Sequence, residues 1–283
     1  MAGAIDLHTH SSVSDGTESP AELIASAIRA GLGTVALTDH DSTAGWQDAR
    51  SAAVGTGLTV IPGMEMSTRH DGRSVHLLAY LFDPLDAGIL DETARIRESR
   101  LHRAEAIVTR IGVDYPITWD DVLAQTSGGT TVGRPHIADA LVALGVVADR
   151  GAAFAGILHP RSGYFLAHYA PSPLEAVKLV RAAGGVPVLA HPAARGRDGV
   201  LPENDVRALV DAGLFGLEVY HRENTDSGKE RLTELVAKFA LAVTGSSDYH
   251  GDGKPNRLGE NTTSDDVLER IIAAGTGSKP FYG

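Results

Sequence analysis

The sequence contains no cysteine, which excludes disulfide frameworks, thiolate metal sites and cysteine nucleophiles. It also lacks an apolar run near the 18 residues that a membrane-spanning helix needs. The first ten residues, MAGAIDLHTH, contain neither the basic nor the apolar region of a signal peptide. We therefore expect a cytoplasmic protein that does not act at a membrane.

Basic residues are comparatively scarce, since 25 Lys and Arg stand against 36 Asp and Glu for a net charge of −11. This balance excludes a broad basic face for duplex nucleic acid, and it suits a protein that holds several cations. A length of 283 residues fits one large domain or two modest ones. Nothing in the composition indicates an oligomeric state.

Short apolar runs alternate with helical stretches along much of the chain. Most of the runs are almost continuously apolar, which is typical of parallel strands buried on both faces. Two of the helices begin with the same capping pattern, Ser19-Pro20-Ala21-Glu22 and Ser172-Pro173-Leu174-Glu175. The alternation favours a (β/α) barrel or an open doubly wound sheet. The predicted strands are Ala4–Leu7, Thr34–Leu37, Leu58–Ile61, Ser74–Tyr80, Val186–Ala190, Leu214–Tyr220 and Leu241–Thr244.

The alternation stops between residues 86 and 171. This stretch has a long charged helical pattern at Asp86–Ile111, shorter ones at Trp119–Gln125 and Pro135–Leu144, and no convincing strand. We interpret it as a helical insertion that forms a substrate lid. The barrel would then comprise residues 1–85 and 172–283.

Side chains that bind metals follow several predicted strands. His8 and His10 come after the first strand, and because residues i and i+2 point to the same face, both imidazoles can reach one ion. In parallel sheets and barrels, functional sites form where the strands end. Imidazole and carboxylate ligands without thiolate suit Mn²⁺, Fe²⁺ or Zn²⁺. The other candidate ligands are Asp15, His40, Glu65, His76, His191, Asp248 and His250. Asp6 and Asp39 precede ligand histidines and should face away from the ions as supporting residues.

These residues form motifs that resemble those of the PHP (polymerase and histidinol phosphatase) superfamily of metal-dependent phosphoesterases. The matching motifs are Asp6-Leu7-His8-Thr9-His10, Thr38-Asp39-His40, Gly63-Met64-Glu65, His76, Ala190-His191-Pro192 and Ser247-Asp248-Tyr249-His250. The resemblance implies an α/β fold, a distorted seven-stranded (β/α) barrel with three divalent ions at its carboxyl end. It also implies the three ligand sets: His8, His10, Glu65 and Asp248; Glu65, His76 and His191; and Asp15, His40 and His250.

Clustered divalent ions generate hydroxide near neutral pH and neutralise phosphoryl oxygens. We therefore expect metal-bound hydroxide, held by Glu65, His191 and Asp248, to attack phosphorus in line. His221, at the end of Leu217–Tyr220, is a candidate general acid or substrate contact.

The insertion contains the string Gly133-Arg134-Pro135-His136-Ile137-Ala138. A guanidinium beside a helix N-terminus makes an anion site. The string also resembles a segment of the PHP subgroup that acts on nucleoside 3′,5′-bisphosphates and related nucleotides. That resemblance implies that Arg134 and His136 bind the substrate phosphate.

The substrate we expect is therefore a nucleotide, either an AMP-like monoester or a nucleoside 3′,5′-bisphosphate. Trimming of short RNA from the 5′ end uses the same chemistry and stays an alternative, as does hydrolysis of histidinol phosphate. A metal amidohydrolase and a non-enzymatic accessory domain are further alternatives. The third ligand set and Arg134 weigh against the amidohydrolase, and the complete ligand set weighs against the accessory domain.

Overall fold

The computed structural model describes residues 3–126, 130–194, 196 and 199–283. Within them, seven strands lie side by side in chain order and curve into a nearly closed barrel. The predicted α/β barrel is therefore confirmed. The strands are β1 (Ala4–Thr9), β2 (Leu32–Leu37), β3 (Thr59–His70), β4 (Arg73–Tyr80), β5 (Val186–Ala190), β6 (Gly216–Tyr220) and β7 (Ala242–Gly245), and a two-residue strand β8 (Phe281–Tyr282) pairs with β3 outside this order.

The barrel closes between β1 and the segment that follows β7. The His10 N–H donates to the Tyr249 carbonyl at 2.8 Å, and Thr9 forms a parallel bridge with Tyr249. The Thr263 N–H donates to the Ile5 carbonyl at 3.0 Å. These contacts bring β1 together with the segment that follows β7, so residues far apart in sequence lie at the same end of the barrel.

The expected parallel arrangement does not hold for β4, which is antiparallel to both β3 and β5. β3 continues nine residues past Ile61, its predicted end, and reverses at Asp71 and Gly72, whose φ angles are 46° and 75°. Two positive φ angles in a two-residue loop are typical of the hairpin turn that Asp-Gly favours. The short link left no room for the helix that a parallel crossover requires.

Because side chains point alternately to the two faces of each strand, the barrel has two apolar layers, one in its interior and one between the barrel and the helices. Leu77 and Ala79 of β4 face outward into the layer between barrel and helices, whereas Leu78 and Tyr80 face the barrel interior. The helix that follows β7 contributes Ile271 to the interior layer. One end of the barrel is thus filled by side chains, so ligands approach from the other end.

Helices surround the barrel, and none in the described residues is both long and apolar enough to cross a membrane. They are α1 (Pro20–Arg29), α2 (Trp46–Ala53), α3 (Ala87–Ile111), α4 (Trp119–Leu123), α5 (Arg134–Ala143), α6 (Arg150–Ala155), α7 (Pro173–Ala182), α8 (Glu203–Asp211), α9 (Asp226–Phe239) and α10 (Asp265–Ala274). Helices α3 to α6 occupy the stretch predicted as an insertion. The second half of α3 packs with α4, α5 and α6 around an apolar cluster that includes Ile107, Ile137 and Leu141, while Ile89 and Ile96 of its first half pack against the barrel.

The insertion is tied to the barrel at Asp41, the residue after His40. The Arg100 guanidinium donates to Asp41 Oδ2 at 2.8 Å, and Arg97 donates to the Asp41 carbonyl at 2.6 Å. The Ser67 N–H donates to Asp41 Oδ1 at 2.7 Å. Asp41 is fully buried and has a φ of 51°, so its unusual backbone is stabilised by contacts from both β3 and α3.

The barrel interior provides a stability test at Tyr80. Its hydroxyl is buried and donates to the Leu7 carbonyl at 2.9 Å. Tyr80→Phe keeps the packing but leaves that bond unmade, so the free energy of unfolding should fall by about 1–2 kcal/mol. Chemical denaturation measures it. Tyr282→Phe, at a residue that is 70% exposed, is the control and should change it by less than about 0.5 kcal/mol; an equal loss in both variants would contradict the assigned bond.

Candidate metal centre and active site

The inward-facing positions of β3 and β4 change from apolar to polar along the barrel axis. On β3, Ile61 faces the apolar interior and Glu65 lies four residues further along on the same face. On the antiparallel β4 the order is reversed, so His76 lies ahead of the interior residues Leu78 and Tyr80. Glu65 and His76 therefore meet at one end of the barrel. Glu65 lies within β3 rather than after its end as expected, and His76 lies on its strand as expected.

The carboxylate of Glu65 lies at the centre of a cluster of imidazoles. It is 1% exposed, so its oxygens face other side chains rather than water. Oε2 lies 3.2 Å from His8 Nε2, 3.1 Å from His10 Nε2 and 3.3 Å from His40 Nδ1, and Oε1 lies 2.8 Å from His76 Nδ1 and 3.0 Å from His191 Nε2.

All nine candidate ligands lie in this cluster. Among the residues that the structure describes, three sets have ligand atoms within 4.8 Å of one another: His8, His10, Glu65 and Asp248; His10, Asp15, His40 and His250; and His40, Glu65 and His76. The first set is the one expected, and the second adds His10 to the expected three. The third set contains His40 in place of the expected His191. His191 still lies next to Glu65, at the distance given above.

The donor set fits divalent ions. Several ligand atoms are buried and have no hydrogen-bond partner, namely Asp15 Oδ1, His40 Nδ1, Asp248 Oδ1 and His250 Nε2. A buried polar atom without a partner costs free energy, and a cation supplies the missing interaction. Carboxylates and imidazoles are the ligands of Mn²⁺, Fe²⁺ and Zn²⁺. The residues present can therefore hold divalent metal ions.

The protonation states also suit metal binding. Burial would raise the pKa of Glu65, but the nearby imidazoles of His40, His76 and His8 outweigh it and hold that pKa well below its usual value. Burial lowers the pKa of His40 and of His250. An ionised carboxylate and neutral imidazoles are the forms that bind a metal.

His8 and His10 behave differently because carboxylates surround them. Burial lowers the pKa of His10, yet hydrogen bonds and attraction from Asp248 and Glu65 raise it to about 9. For His8, burial is outweighed by Glu65, Glu218 and Asp248, and the pKa lies well above its ordinary value. The carboxylates thus favour positive charge at this position. A divalent ion that bound there would replace the protons of His8 and His10.

Glu218 of β6 is a buried carboxylate that sequence reasoning missed. Its Oε1 lies 3.1 Å from His8 Nδ1, and its Oε2 accepts the His191 N–H at 2.7 Å. Its neighbours Leu217 and Val219 face the outer apolar layer, so a lone glutamate facing the interior was the available signal. A carboxylate behind a ligand imidazole fixes its orientation and tautomer.

Lys254 is a second residue that no motif indicated. Its Nζ lies 2.6 Å from Asp248 Oδ2. Attraction to Asp248 and Asp15 outweighs burial and raises the pKa of Lys254, so the ammonium stays charged beside the cluster.

Asp6 and Asp39 support the cluster from behind, as expected. Asp39 Oδ1 accepts the Ser11 N–H at 2.8 Å. Asp6 accepts the Ser247 and Gly259 N–H groups at 3.0 and 2.9 Å. These bonds fix the loops that carry the ligands after β1 and β7.

His221 lies behind Asp248. Its Nε2 is 3.6 Å from Asp248 Oδ2, and its Nδ1 accepts the Glu223 N–H at 3.1 Å. A neutral ring that accepts at Nδ1 carries its proton on Nε2, so His221 presents a donor toward the cluster. The side chain is fully buried, and its role as a general acid stays a prediction.

Arg134 and His136 lie in different surroundings. The Arg134 guanidinium lies 5.4 Å from the ring centres of both Phe154 and Phe165, in a cavity beside the cluster. His136 is 4% exposed, and its Nδ1 accepts the Gly133 N–H at 3.0 Å, which caps α5. The structure therefore brings Arg134 to the site and gives His136 a capping role, while phosphate binding by either residue stays a prediction.

The cavity above the cluster has a volume of about 990 Å³ and is strongly cationic. The ligands Asp15, His40, His76 and His250 form part of its wall. Its other acidic lining residue in the described part of the chain is Glu223. Sequence reasoning found only Arg134 among the basic residues that line the cavity. In the described part of the chain these number nine: Arg69, Arg73, Arg100, Arg103, Arg134, Arg150, Arg161, Arg222 and Lys254.

Comparison with known proteins agrees with this geometry. The PHP domain model matches residues 6–110. A 5′-3′ exoribonuclease of Haemophilus influenzae is 31% identical over 96% of this chain and 98% of its own. The chain belongs to the PHP family. A 3′,5′-nucleoside bisphosphate phosphatase of Chromobacterium violaceum is 30% identical over 89% of both chains. A solved structure described as a metal-dependent phosphoesterase of Bifidobacterium adolescentis has 45% identity and a TM-score of 0.94 over 98% of both chains.

Membership of the PHP family confirms the predicted enzyme class, a metal-dependent hydrolase of phosphate esters. The family's metal dependence agrees with the histidine and carboxylate sets described above.

The three ligand sets predict three ions per chain. Elemental analysis of protein purified without chelator should give three equivalents of divalent metal after incubation with Mn²⁺. A reproducible single equivalent, with no gain when Mn²⁺ is added, would contradict the three-ion arrangement.

Glu65→Gln should remove the negative charge of the Glu65 carboxylate, which lies next to ligands from all three expected sets. We expect it to lower bound metal and to reduce kcat by about 100-fold or more, because carboxylate ligands are not replaced by a neutral amide. Metal content and turnover are measured on the same preparation. His102→Ala, on the exposed face of α3, should match the wild type in both; near wild-type kcat in Glu65→Gln would refute the central role of Glu65.

Proposed function

We propose that this PHP protein hydrolyses phosphate monoesters of nucleotides, either AMP-like compounds or nucleoside 3′,5′-bisphosphates. The observation that carries the proposal is the joining of a carboxylate–imidazole cluster to a cavity with nine cations. The cluster can bind the phosphate that reacts, and the cations can bind further negative charge on the same substrate. The relatives that act on nucleoside bisphosphates and on RNA support the same substrate chemistry.

Histidinol phosphate fits this cavity less well. It carries a protonated amine, which needs an acidic partner, whereas Asp15 and Glu223 are the acids among the described lining residues and Asp15 belongs to the metal cluster. Like charges placed together in a partly desolvated cavity repel each other. The charge of the cavity thus favours a polyanionic nucleotide.

We propose that the nine clustered residues hold up to three divalent ions, with Glu65, His191 and Asp248 nearest the reacting phosphate. When bound, such ions supply hydroxide at neutral pH and stabilise the charge of the phosphoryl group. Glu218 keeps His8 oriented, and Lys254 holds positive charge beside Asp248. His221 presents its Nε2 proton to the same place and is the proposed general acid.

We further propose that residues 86–171 act as the lid of the site. They contribute Arg100, Arg103, Arg134 and Arg150 to the cavity wall, together with the rings of Phe154 and Phe165. The Arg150 guanidinium also donates to the Asp15 carbonyl at 3.1 Å. The lid therefore contacts the loop that carries a proposed ligand, and it supplies most of the groups that would recognise the substrate.

Removal of single nucleotides from the 5′ end of short RNA is the second candidate function. A further cavity of about 610 Å³ adjoins the first, and both are lined by Arg73, Ser74, His76, Arg134 and Glu223. Together they exceed the usual size of a site for one small ligand. This space favours a substrate longer than a mononucleotide.

A phosphate-release and product-analysis panel tests the proposed function. The panel consists of AMP, adenosine 3′,5′-bisphosphate, 5′-phosphorylated dinucleotide, histidinol phosphate and p-nitrophenyl phosphate. We expect kcat/KM for a nucleotide substrate to exceed that for histidinol phosphate at least about 100-fold, which corresponds to about 3 kcal/mol. Preference for histidinol phosphate would refute the nucleotide assignment, and release of mononucleotides from the dinucleotide would favour the second candidate.

Arg134 tests the phosphate-binding role. Loss of a charge-assisted contact to the substrate should cost roughly 2–4 kcal/mol of transition-state binding, about 30- to 1000-fold in kcat/KM. Arg134→Lys should recover little, because an ammonium does not reproduce the planar fork. Bound metal should stay constant in both variants. Arg110→Ala, on an exposed position of α3, is the control, and unchanged kcat/KM in Arg134→Ala on every substrate would refute the role.

A further inference from the structure

Lys254 is a cation of the cavity wall that comes from the barrel and contacts the metal cluster. Its Nζ lies 2.6 Å from Oδ2 of Asp248, a candidate ligand, and its side chain is 34% exposed at the wall of the 990 Å³ cavity. The other ion pairs that described cations of this wall form are with Asp41, Asp139 and Glu260, none of which is a candidate ligand. Among the described residues, Lys254 is therefore the cation that connects the cluster to the cavity.

The loop after β7 holds Lys254 in this place. The Gly253 N–H donates to the His250 carbonyl at 3.2 Å, which closes a turn directly before Lys254. Two residues after Lys254, the buried side chain of Asn256 donates to the Ser247 carbonyl at 2.6 Å. Both bonds tie the loop back to the ligand segment that it follows, so the backbone of Lys254 is fixed beside the cluster.

The two carboxylate oxygens of Asp248 face different groups. Oδ1 lies 3.4 Å from His8 Nε2 and 3.3 Å from His10 Nε2, and it is buried without a hydrogen-bond partner. It is therefore the oxygen that suits an ion. Oδ2 faces Lys254 and lies 3.6 Å from His221 Nε2. The ammonium thus lies beside the position that an ion would occupy and does not block it.

An ammonium carries three N–H donors, and the protein does not use all those of Lys254. Within the described part of the chain, its hydrogen-bond acceptor is Asp248 Oδ2. An uncharged donor would be enough to orient Asp248, whereas a charged and partly exposed donor is also available to an anion in the cavity. Phosphoryl transfer spreads negative charge over the oxygens of the phosphoryl group, and a fixed donor directed at such oxygens stabilises the transition state.

We propose that Lys254 donates to a nonbridging oxygen of the phosphoryl group that is cleaved, and that it is a catalytic residue of this protein. The proposal rests on the part of the proposed function that places the reacting phosphate at the metal cluster, and it does not depend on a preference for nucleotides. Because every substrate contains that phosphoryl group, the contribution of Lys254 should be the same for all of them.

The kinetic test compares Lys254→Met and Lys254→Arg with the wild type on AMP and on p-nitrophenyl phosphate, with Mn²⁺ in excess. Methionine keeps much of the apolar stem of lysine but has no donor. We expect Lys254→Met to lower kcat/KM about 100-fold or more on both substrates, and Lys254→Arg, which keeps the charge, to restore part of it. Bound metal is measured on the same preparations. Lys178→Met, at an exposed position of α7, is the matched control and should match the wild type.

A binding measurement distinguishes contact with the phosphoryl group from orientation of Asp248 alone. Calorimetric titration of the Mn²⁺-loaded protein with inorganic phosphate gives a Kd that does not depend on turnover. We expect Lys254→Met to raise this Kd about 10- to 150-fold, as the loss of one hydrogen bond to a charged group gives. A residue that only orients Asp248 would instead weaken Mn²⁺ binding and leave the phosphate Kd of the loaded protein unchanged.

Three results would overturn the proposal: an unchanged phosphate Kd in Lys254→Met, full recovery of its kcat/KM at higher Mn²⁺, or a loss on AMP without a loss on p-nitrophenyl phosphate. A preference of the wild type for histidinol phosphate would refute only the nucleotide assignment, and the comparison on p-nitrophenyl phosphate would still decide the role of Lys254. If the wild type hydrolyses neither test substrate, the phosphate Kd decides that role.

Discussion

Glu65 places an ionised carboxylate inside the barrel mouth, with imidazoles from four other parts of the chain around its two oxygens. Removing such a charge from water costs several kcal/mol unless neighbouring groups compensate. The compensation comes from residues on or after β1, β2, β4 and β5, so the relative positions of these strands are fixed by one buried charge. Glu65 can occupy this position because β3 extends beyond the barrel wall into the hairpin with β4. The register of that hairpin in turn sets His76 opposite Ser67 and next to Ala190, one residue before His191.

The ligand cluster was predictable because its signals are local. A histidine pair at i and i+2, or an acid before a histidine, occupies a few adjacent positions at the end of an apolar run, and the barrel brings such ends together. The alternation of strand and helix indicated either a barrel or an open doubly wound sheet, and the resemblance to the PHP superfamily implied the barrel. The direction of β4 was not predicted, although Asp71 and Gly72 form a recognisable hairpin turn. The expectation of a parallel sheet led to that turn being overlooked.

Other parts of the site could not be found in this way. Glu218 is an isolated acid in an apolar strand, and Lys254 lies in a loop without a pattern. The arginines of the cavity are dispersed from residue 69 to residue 222, and in the sequence each looks like an ordinary charged residue of its own segment. Net charge was misleading for the same reason, because a chain of −11 still concentrates cations where two segments fold toward each other. The distribution of charge depends on the tertiary structure, whereas the composition gives only the net charge.

The bond between Arg100 and Asp41 has a consequence for how such a protein can change. Asp41 is buried, and its partners on the insertion side are the Arg97 and Arg100 side chains of α3. A chimera that received a different insertion, without matching guanidinium groups, would leave an uncompensated acid directly after His40 and would lose about 3–5 kcal/mol. Replacing the insertion of this protein therefore requires that α3 be transferred together with the loop after β2.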